Sequence, residues 1–255
     1  MQFASSSAEA MQRERDIHVN GNTYTLREYV GSMPLRGGYV EGNEANNDAQ
    51  PQGFLVWQPP NAVTPPHFHI TNQFQVFVSG GGSIGNKDAS PMTVQYANGH
   101  SPYGPIRSGD EGLHYFTLRQ LWDEGAKYLP GERARLEKGN RKTRVNGSLQ
   151  SSTADERVAR PEAHAETIFE PDESGVAGWL WQAGPGQSID LQSTEGTGGH
   201  YIVVAEGSAV CDGKALDRWS VVFQTPQEDS PQMVAGPDGL DLFVLRFPPL
   251  PALAA

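Results

Sequence analysis

Eleven residues, PPHFHITNQFQ from Pro65 to Gln75, carry the chain's most concentrated metal-ligand chemistry. Imidazole is a common ligand for transition metals. Residues i and i+2 of a β-strand share a face, so a strand here presents His67 and His69 side by side with Phe68 behind them. Gln73 follows after a break, and along QFQVFV the residues sharing its face are Gln75 and Phe77. Phe74, Val76 and Val78 make the other face an apolar stripe. Two histidines, two glutamines and one phenylalanine are too polar for plain core. Inside a barrel they read as a ligand cavity with a few placed polar groups.

The elements that must hold these residues read as β throughout. FLVWQ, QFQVFV, MTVQYA and LHYFTLR are short aromatic and β-branched runs broken by Gly, Pro, Asn or Asp. GWLWQA, SIDLQ, HYIVVA, SVVFQ and LDLFVLR follow in the second half. Twenty-nine glycines and 19 prolines in 255 residues suit frequent turns better than long helices. An all-β sandwich or barrel is predicted.

An internal repeat organises these strands. GDEGLHYFTLR at 109–119 and GPDGLDLFVLR at 236–246 align at an offset of 127, and the same offset aligns QFQVFVSG with HYIVVAEG. Trp57-Gln58 pairs with Trp181-Gln182 at an offset of 124, implying a three-residue insertion between. The predicted divisions are an N-terminal arm at 1–20, a first domain at 21–125, a basic linker at 126–163 and a second domain at 164–250. The linker holds 9 of the 19 basic residues and a short helix is expected at Gly131–Lys138; such charge runs are usually solvated.

Bulk properties narrow the function. A net charge of −11 is a poor match for nucleic acid or anionic lipid, whose phosphates need Lys and Arg. Neither nucleic acid nor membrane is therefore expected as a partner; a small-molecule substrate is. Cys211 is the only cysteine, no apolar run approaches the roughly 18 residues of a membrane helix, and the first residues lack a signal-peptide core. A cytoplasmic location is expected.

The stretch from Pro65 to Gly80 resembles the first motif of the cupin family: His, one residue, His, three or four residues, Glu, six residues, Gly. His67, His69, Gln73 and Gly80 stand at those spacings, and Asn61 stands where the family has its opening Gly. With the repeat, the resemblance is to a bicupin and covers nearly the whole chain apart from arm and linker. It implies two tandem antiparallel jelly-roll β-barrels joined by a linker with a short helix. Its second motif should bring a further histidine. Here the position falls on Tyr103 or Pro102, with His100 close by and His114 a weaker candidate. At the offset of 127, His67, His69, Gln73 and Tyr103 become Thr194, Gly196, His200 and Ser230, so the second barrel is expected to keep the fold without a metal, with His200 as a hydrogen-bonded structural histidine.

The resemblance thus implies one divalent transition metal (Fe, Mn, Ni, Cu or Zn) on His67, His69, Gln73 and either His100 or Tyr103. A neutral Gln in place of Glu weakens binding and sharpens the Lewis acid. Gln75 and Tyr103 are the candidate catalytic residues. Phe77, Tyr103, Arg107 and Trp57 are the candidate substrate contacts, Arg107 for a carboxylate. Dioxygenase chemistry is the leading reaction class, a lyase or isomerase reaction the next, and non-catalytic binding of a sugar or organic acid the alternative. The resemblance also makes a homodimer the default assembly.

Overall fold

The computed structural model describes residues 3–34, 36–139 and 141–250. Its contacts divide the chain into two units, Met11–Gln150 and Met1–Ala10 with Ser151–Ala255. Each unit is an antiparallel β-barrel of jelly-roll type.

In chain order the strands begin with β1 (Phe3–Ser5), β2 (Glu14–Val19), β3 (Asn22–Val30), β4 (Gln52–Gln58), β5 (Val63–Thr64) and β6 (His67–Phe68). Then come β7 (Gln73–Ile84), β8 (Lys87–Ala89), β9 (Val94–Ala97), β10 (Ile106–Arg119), β11 (Lys127–Tyr128) and β12 (Thr143–Asn146). The first sheet runs β12-β9-β7-β10-β4-β3-β2, and β11 pairs with β6. The second unit adds β13 (His164–Phe169), β14 (Ala177–Ala183), β15 (Ser188–Ile189), β16 (His200–Cys211), β17 (Lys214–Leu216), β18 (Val221–Gln224) and β19 (Met233–Arg246). Its sheet runs β1-β18-β16-β19-β14-β13.

The repeat is written into the strand bounds. β7, β8, β9 and β10 become β16, β17, β18 and β19 at 127 residues, end for end. Upstream the pairing differs from the reading of Trp57 with Trp181. Trp57 lies opposite His114, and the residue opposite the equivalent Asp241 is Gln182. Trp181 therefore corresponds to Val56. One residue of register exchanges the faces of a strand: Trp181 packs on the core of the second barrel, whereas Val56 and not Trp57 belongs to the core of the first.

The stretch read as a linker is more structured than a solvated connection. Lys127–Tyr128 pairs with His67–Phe68, and Thr143–Asn146 extends the first sheet beside β9. The short helix is one 3-10 turn, Arg133–Arg135. A capping box, Thr153 and Glu156 capping each other, opens the helix Ala154–Val158. The arm is also divided. Phe3–Ser5 pairs with β18, while Glu14–Val19 forms a hairpin with β3; Met1 and Gln2 lie outside the described residues. No helix among the described residues is long and apolar enough to cross a membrane.

The first barrel's core is built by alternation. Phe54, Val56, Phe77, Leu113 and Tyr115 point inward from β4, β7 and β10. Continuing the same alternation along β7 and β10 brings Gln73, Gln75, Thr117 and Arg119 to one end of the interior.

Candidate functional site

His67 is anchored across the barrel to Tyr103. The two form an isolated bridge in which each backbone N–H donates to the other's carbonyl, at 3.1 and 3.0 Å. Directly opposed residues share a face, so the Tyr103 hydroxyl reaches His67 Nε2 at 2.8 Å. The other ring nitrogen, Nδ1, donates to the Pro65 carbonyl at 2.7 Å. That fixes the tautomer: Nε2 carries the lone pair and accepts from the tyrosine.

His69 is arranged in the same way with a different brace. Its Nδ1 donates to Asp123 Oδ1 at 2.6 Å, and the other carboxylate oxygen accepts the Ile70 N–H at 3.0 Å. Arg119 Nη2 lies over the His69 ring, 3.2 Å from Nδ1 and 3.1 Å from Nε2. Gln73 joins the two halves: its amide nitrogen donates to the Tyr103 oxygen, and its Oε1 accepts from Arg119 Nε at 3.2 Å and Nη2 at 3.1 Å. Arg119 Nη1 donates to Gln52 Oε1 at 3.0 Å. Tyr103, Gln73, Arg119 and Gln52 are thus linked in one chain of hydrogen bonds.

Burial sets the charge states. His67 is pushed down to about 3 by burial and then by neighbouring His69, and His69 to about 4 by burial and Arg119. Both rings are neutral at neutral pH, as metal ligation requires. Burial raises Tyr103 well above the ordinary phenol range, so its hydroxyl stays protonated. Burial alone would raise Asp123 as well, but His69 and Arg119 outweigh it and hold the carboxylate ionised. Beside it, Lys127 Nζ and Glu124 Oε1 pair at 2.7 Å, both buried. Two cations, Arg119 and Lys127, thus balance two anions, Asp123 and Glu124, beneath the histidines.

A cavity of about 80 Å³ opens here, lined among others by His67, His69, Gln75, Tyr103, Thr117 and Arg119. It has room for a handful of water-sized groups. The sequence-predicted residues divide accordingly. His67, His69, Gln73, Gln75 and Tyr103 come together. Phe77 shares their face but is enclosed in the core, its ring 5.2 Å from that of Tyr115.

Three others sit elsewhere. His100 has positive φ (59°) in a turn, and its N–H donates to the His69 carbonyl at 2.7 Å. Its ring lies on the Phe68 side, with Nδ1 accepting the Glu137 N–H at 3.3 Å, so of the two alternatives only Tyr103 faces the site. Arg107 is exposed. Alternation counted from Tyr103 fails because β10 begins only at Ile106, after Gly104 at φ 94° has broken the period. Trp57 lies on the outer face between the Arg27 guanidinium, 4.1 Å above its ring, and His114, stacked at 4.4 Å. That stack also removes His114.

Arg119 and Asp123 lie outside the motifs that single out the other site residues. Arg119 was legible: it closes the repeated LHYFTLR, two and four residues beyond the inward Thr117 and Tyr115. Asp123 follows the strand's end, where no periodicity applies. In the second barrel His200 is buried, with Ile202 and Val204 in the core beside it, but neither ring nitrogen has a hydrogen-bond partner among the described residues. The expected hydrogen-bonded histidine is thus corrected to a dry one, because its cross-strand neighbours Gln224 and Arg246 bond elsewhere. Burial and Arg246 push it down to about 4.

No protein-family model and no curated protein matches the chain. Solved structures do. A putative dioxygenase from Nostoc punctiforme aligns over 95% of this chain and 81% of its own, at 12% identity and a TM-score of 0.64. The likeness is one of fold. Oxalate decarboxylase from Bacillus subtilis, a protein with Mn(II) centres, aligns over 98% of this chain and 78% of its own at 13% identity and a TM-score of 0.55. Pirin from Escherichia coli, solved in complex with nickel(II), aligns over 98% and 100% at 10% identity and a TM-score of 0.56. The chain has the two-barrel fold of these cupin-fold proteins.

Proposed function

We propose that the first barrel is a metal-dependent enzyme site of the cupin type acting on a small organic substrate, with dioxygenase-type oxidation as its reaction. The observation that carries this reading is the bracing of both imidazoles. Metal-ligating histidines typically donate their other ring nitrogen to a carbonyl or carboxylate, and His67 and His69 do so to Pro65 and Asp123. Among the described residues no three His, Cys, Asp or Glu groups gather for a metal. The donor set is instead two imidazoles with the neutral oxygens of Gln73 and Tyr103, and it fits an ion of intermediate softness better than Mg or Ca.

When bound, such an ion supplies a Lewis acid and, if redox-active, electrons for O2 chemistry. The chain's own residues supply the rest. Arg119 takes the part expected of Arg107, offering a guanidinium to a substrate carboxylate. Tyr103 holds a proton at its hydroxyl, within reach of a ligand in the cavity. Gln75 and Thr117 add polar contacts. A cavity of about 80 Å³ suits small diketones and organic acids better than flavonols.

One observation favours a second reading, a metal-free binding protein for small organic acids. The His67 Nε2 lone pair is taken by Tyr103, and Gln73 Oε1 by Arg119. Elemental analysis of protein purified without added metal separates the two. The first reading expects near-stoichiometric transition metal, lost in His67→Ala plus His69→Ala. Less than about 0.2 equivalents, unchanged in that double variant, overturns it. O2 uptake by the loaded protein with small diketones tests the reaction; none would move the assignment to lyase or isomerase chemistry.

A further inference from the structure

We propose that Arg119 is the resident cation of this site: its guanidinium and a divalent metal compete for Gln73 Oε1 and for the space beside the His69 ring, and metal loads only when Arg119 turns away. The inference rests on the reading of His67, His69 and Gln73 as ligands.

The competition is geometric. Arg119 donates twice to Gln73 Oε1, from Nε at 3.2 Å and Nη2 at 3.1 Å, and Nη2 lies over the His69 ring, 3.2 Å from Nδ1 and 3.1 Å from Nε2. A metal on this face has to use Gln73 Oε1, both of whose lone pairs Arg119 fills. A lone pair already accepting a hydrogen bond cannot coordinate until that bond breaks. Arg119 is also held firmly: it is 2% exposed, and Nη1 is fixed by Gln52. Its charge adds to the steric conflict, since a dication at this position would face a buried guanidinium in a poorly screened cavity. Arg119 nonetheless lines the open space beside it, so the side chain has somewhere to go.

His67 differs. Its Nε2 accepts from Tyr103, a neutral hydroxyl whose oxygen is itself a candidate ligand and whose proton can rotate away. The two imidazoles are therefore unequal: His67 faces a neutral hydroxyl, and His69 has a guanidinium over its ring. That guanidinium, more than the glutamine at the carboxylate position, limits metal affinity.

Titration calorimetry with Co2+, followed also by the visible d–d bands, tests this on metal-free full-length protein. Arg119→Gln removes the charge and keeps an amide, and is expected to bind Co2+ about tenfold or more tighter than wild type. Arg119→Lys, shorter and without the planar fork, is expected to fall between. Affinity equal to or below wild type in these variants, folded by circular dichroism, overturns the role of Arg119 while leaving the ligand reading intact. Absence of Co2+ binding in wild type and variants alike, or binding that survives His67→Ala plus His69→Ala, overturns the ligand reading beneath it. Should neither variant fold, wild-type protein labelled with 15N-arginine is titrated with Zn2+. A shift of the Arg119 Nε–H resonance on loading is expected; an unmoved resonance with Zn2+ bound refutes the competition.

Discussion

Arg119 and Asp123 decide what the two histidines can do, and neither belongs to the motif that draws attention to them. Asp123 works through His69, fixing its tautomer and balancing the charge of Arg119. Replacing it by Asn keeps the shape and an acceptor but leaves two buried cations against Glu124 alone. Breaking a buried ion network by removing one partner costs about 3–5 kcal/mol. Asp123→Asn should therefore lower the thermal midpoint markedly in scanning calorimetry, and an unchanged midpoint would mean the network contributes little. At this scale the sequence was legible where strands impose a period. His67, His69, Gln73 and Gln75 could be placed from alternation alone. Arg107 could not, because the turn at Gly104 resets the count, and His100 could not, because its turn sends the ring to the Phe68 side.

At the scale of elements the four-strand block repeats without slippage, down to its irregularities. Gly80 and Gly207, 127 residues apart, both have φ near +76° (75° and 77°). A Cβ on each would meet a carbonyl oxygen, of Gly112 at 2.2 Å and of Gly239 at 2.0 Å. Both sit where the long hairpin's register shifts. Gly80→Ala should cost about 2 kcal/mol or more, read as a lower denaturant midpoint, since it adds both backbone strain and a clash. The alignment of Trp57 with Trp181 failed for a related reason. Identical residue pairs were matched, but pairing partners define equivalence, and those differ by one residue. On the β16 strand, His200 gives a pH test. It is neutral when folded, with its value lowered from 6.5 to about 4, so the unfolded chain binds the extra proton first. Its contribution is complete above about pH 6.5 and is lost as pH falls toward 4. His200→Phe should reduce the drop in thermal midpoint between pH 7 and pH 5; an undiminished drop would assign that sensitivity to other groups.

Over the whole molecule, duplication has produced one barrel with a charged, braced floor and one whose equivalent positions are a buried Thr194, an exposed turn residue, Gly196, and a buried His200. The all-β class and the tandem repeat could be read directly from strand runs and the offset of 127. The ends of the units could not, because chain order and spatial membership differ at residues 3–10. Phe3–Ser5 forms the outermost strand beside β18, with Phe3 opposite Phe223, and Lys214 Nζ holds the Ala4 carbonyl at 2.8 Å. No single cut can therefore release both halves intact. A fragment starting at 151 would bare the backbone of Val221–Phe223 as an open edge, an invitation to self-association. During synthesis, too, Phe3 emerges 220 positions ahead of its partner and must wait, unpaired, until nearly the entire chain has been made.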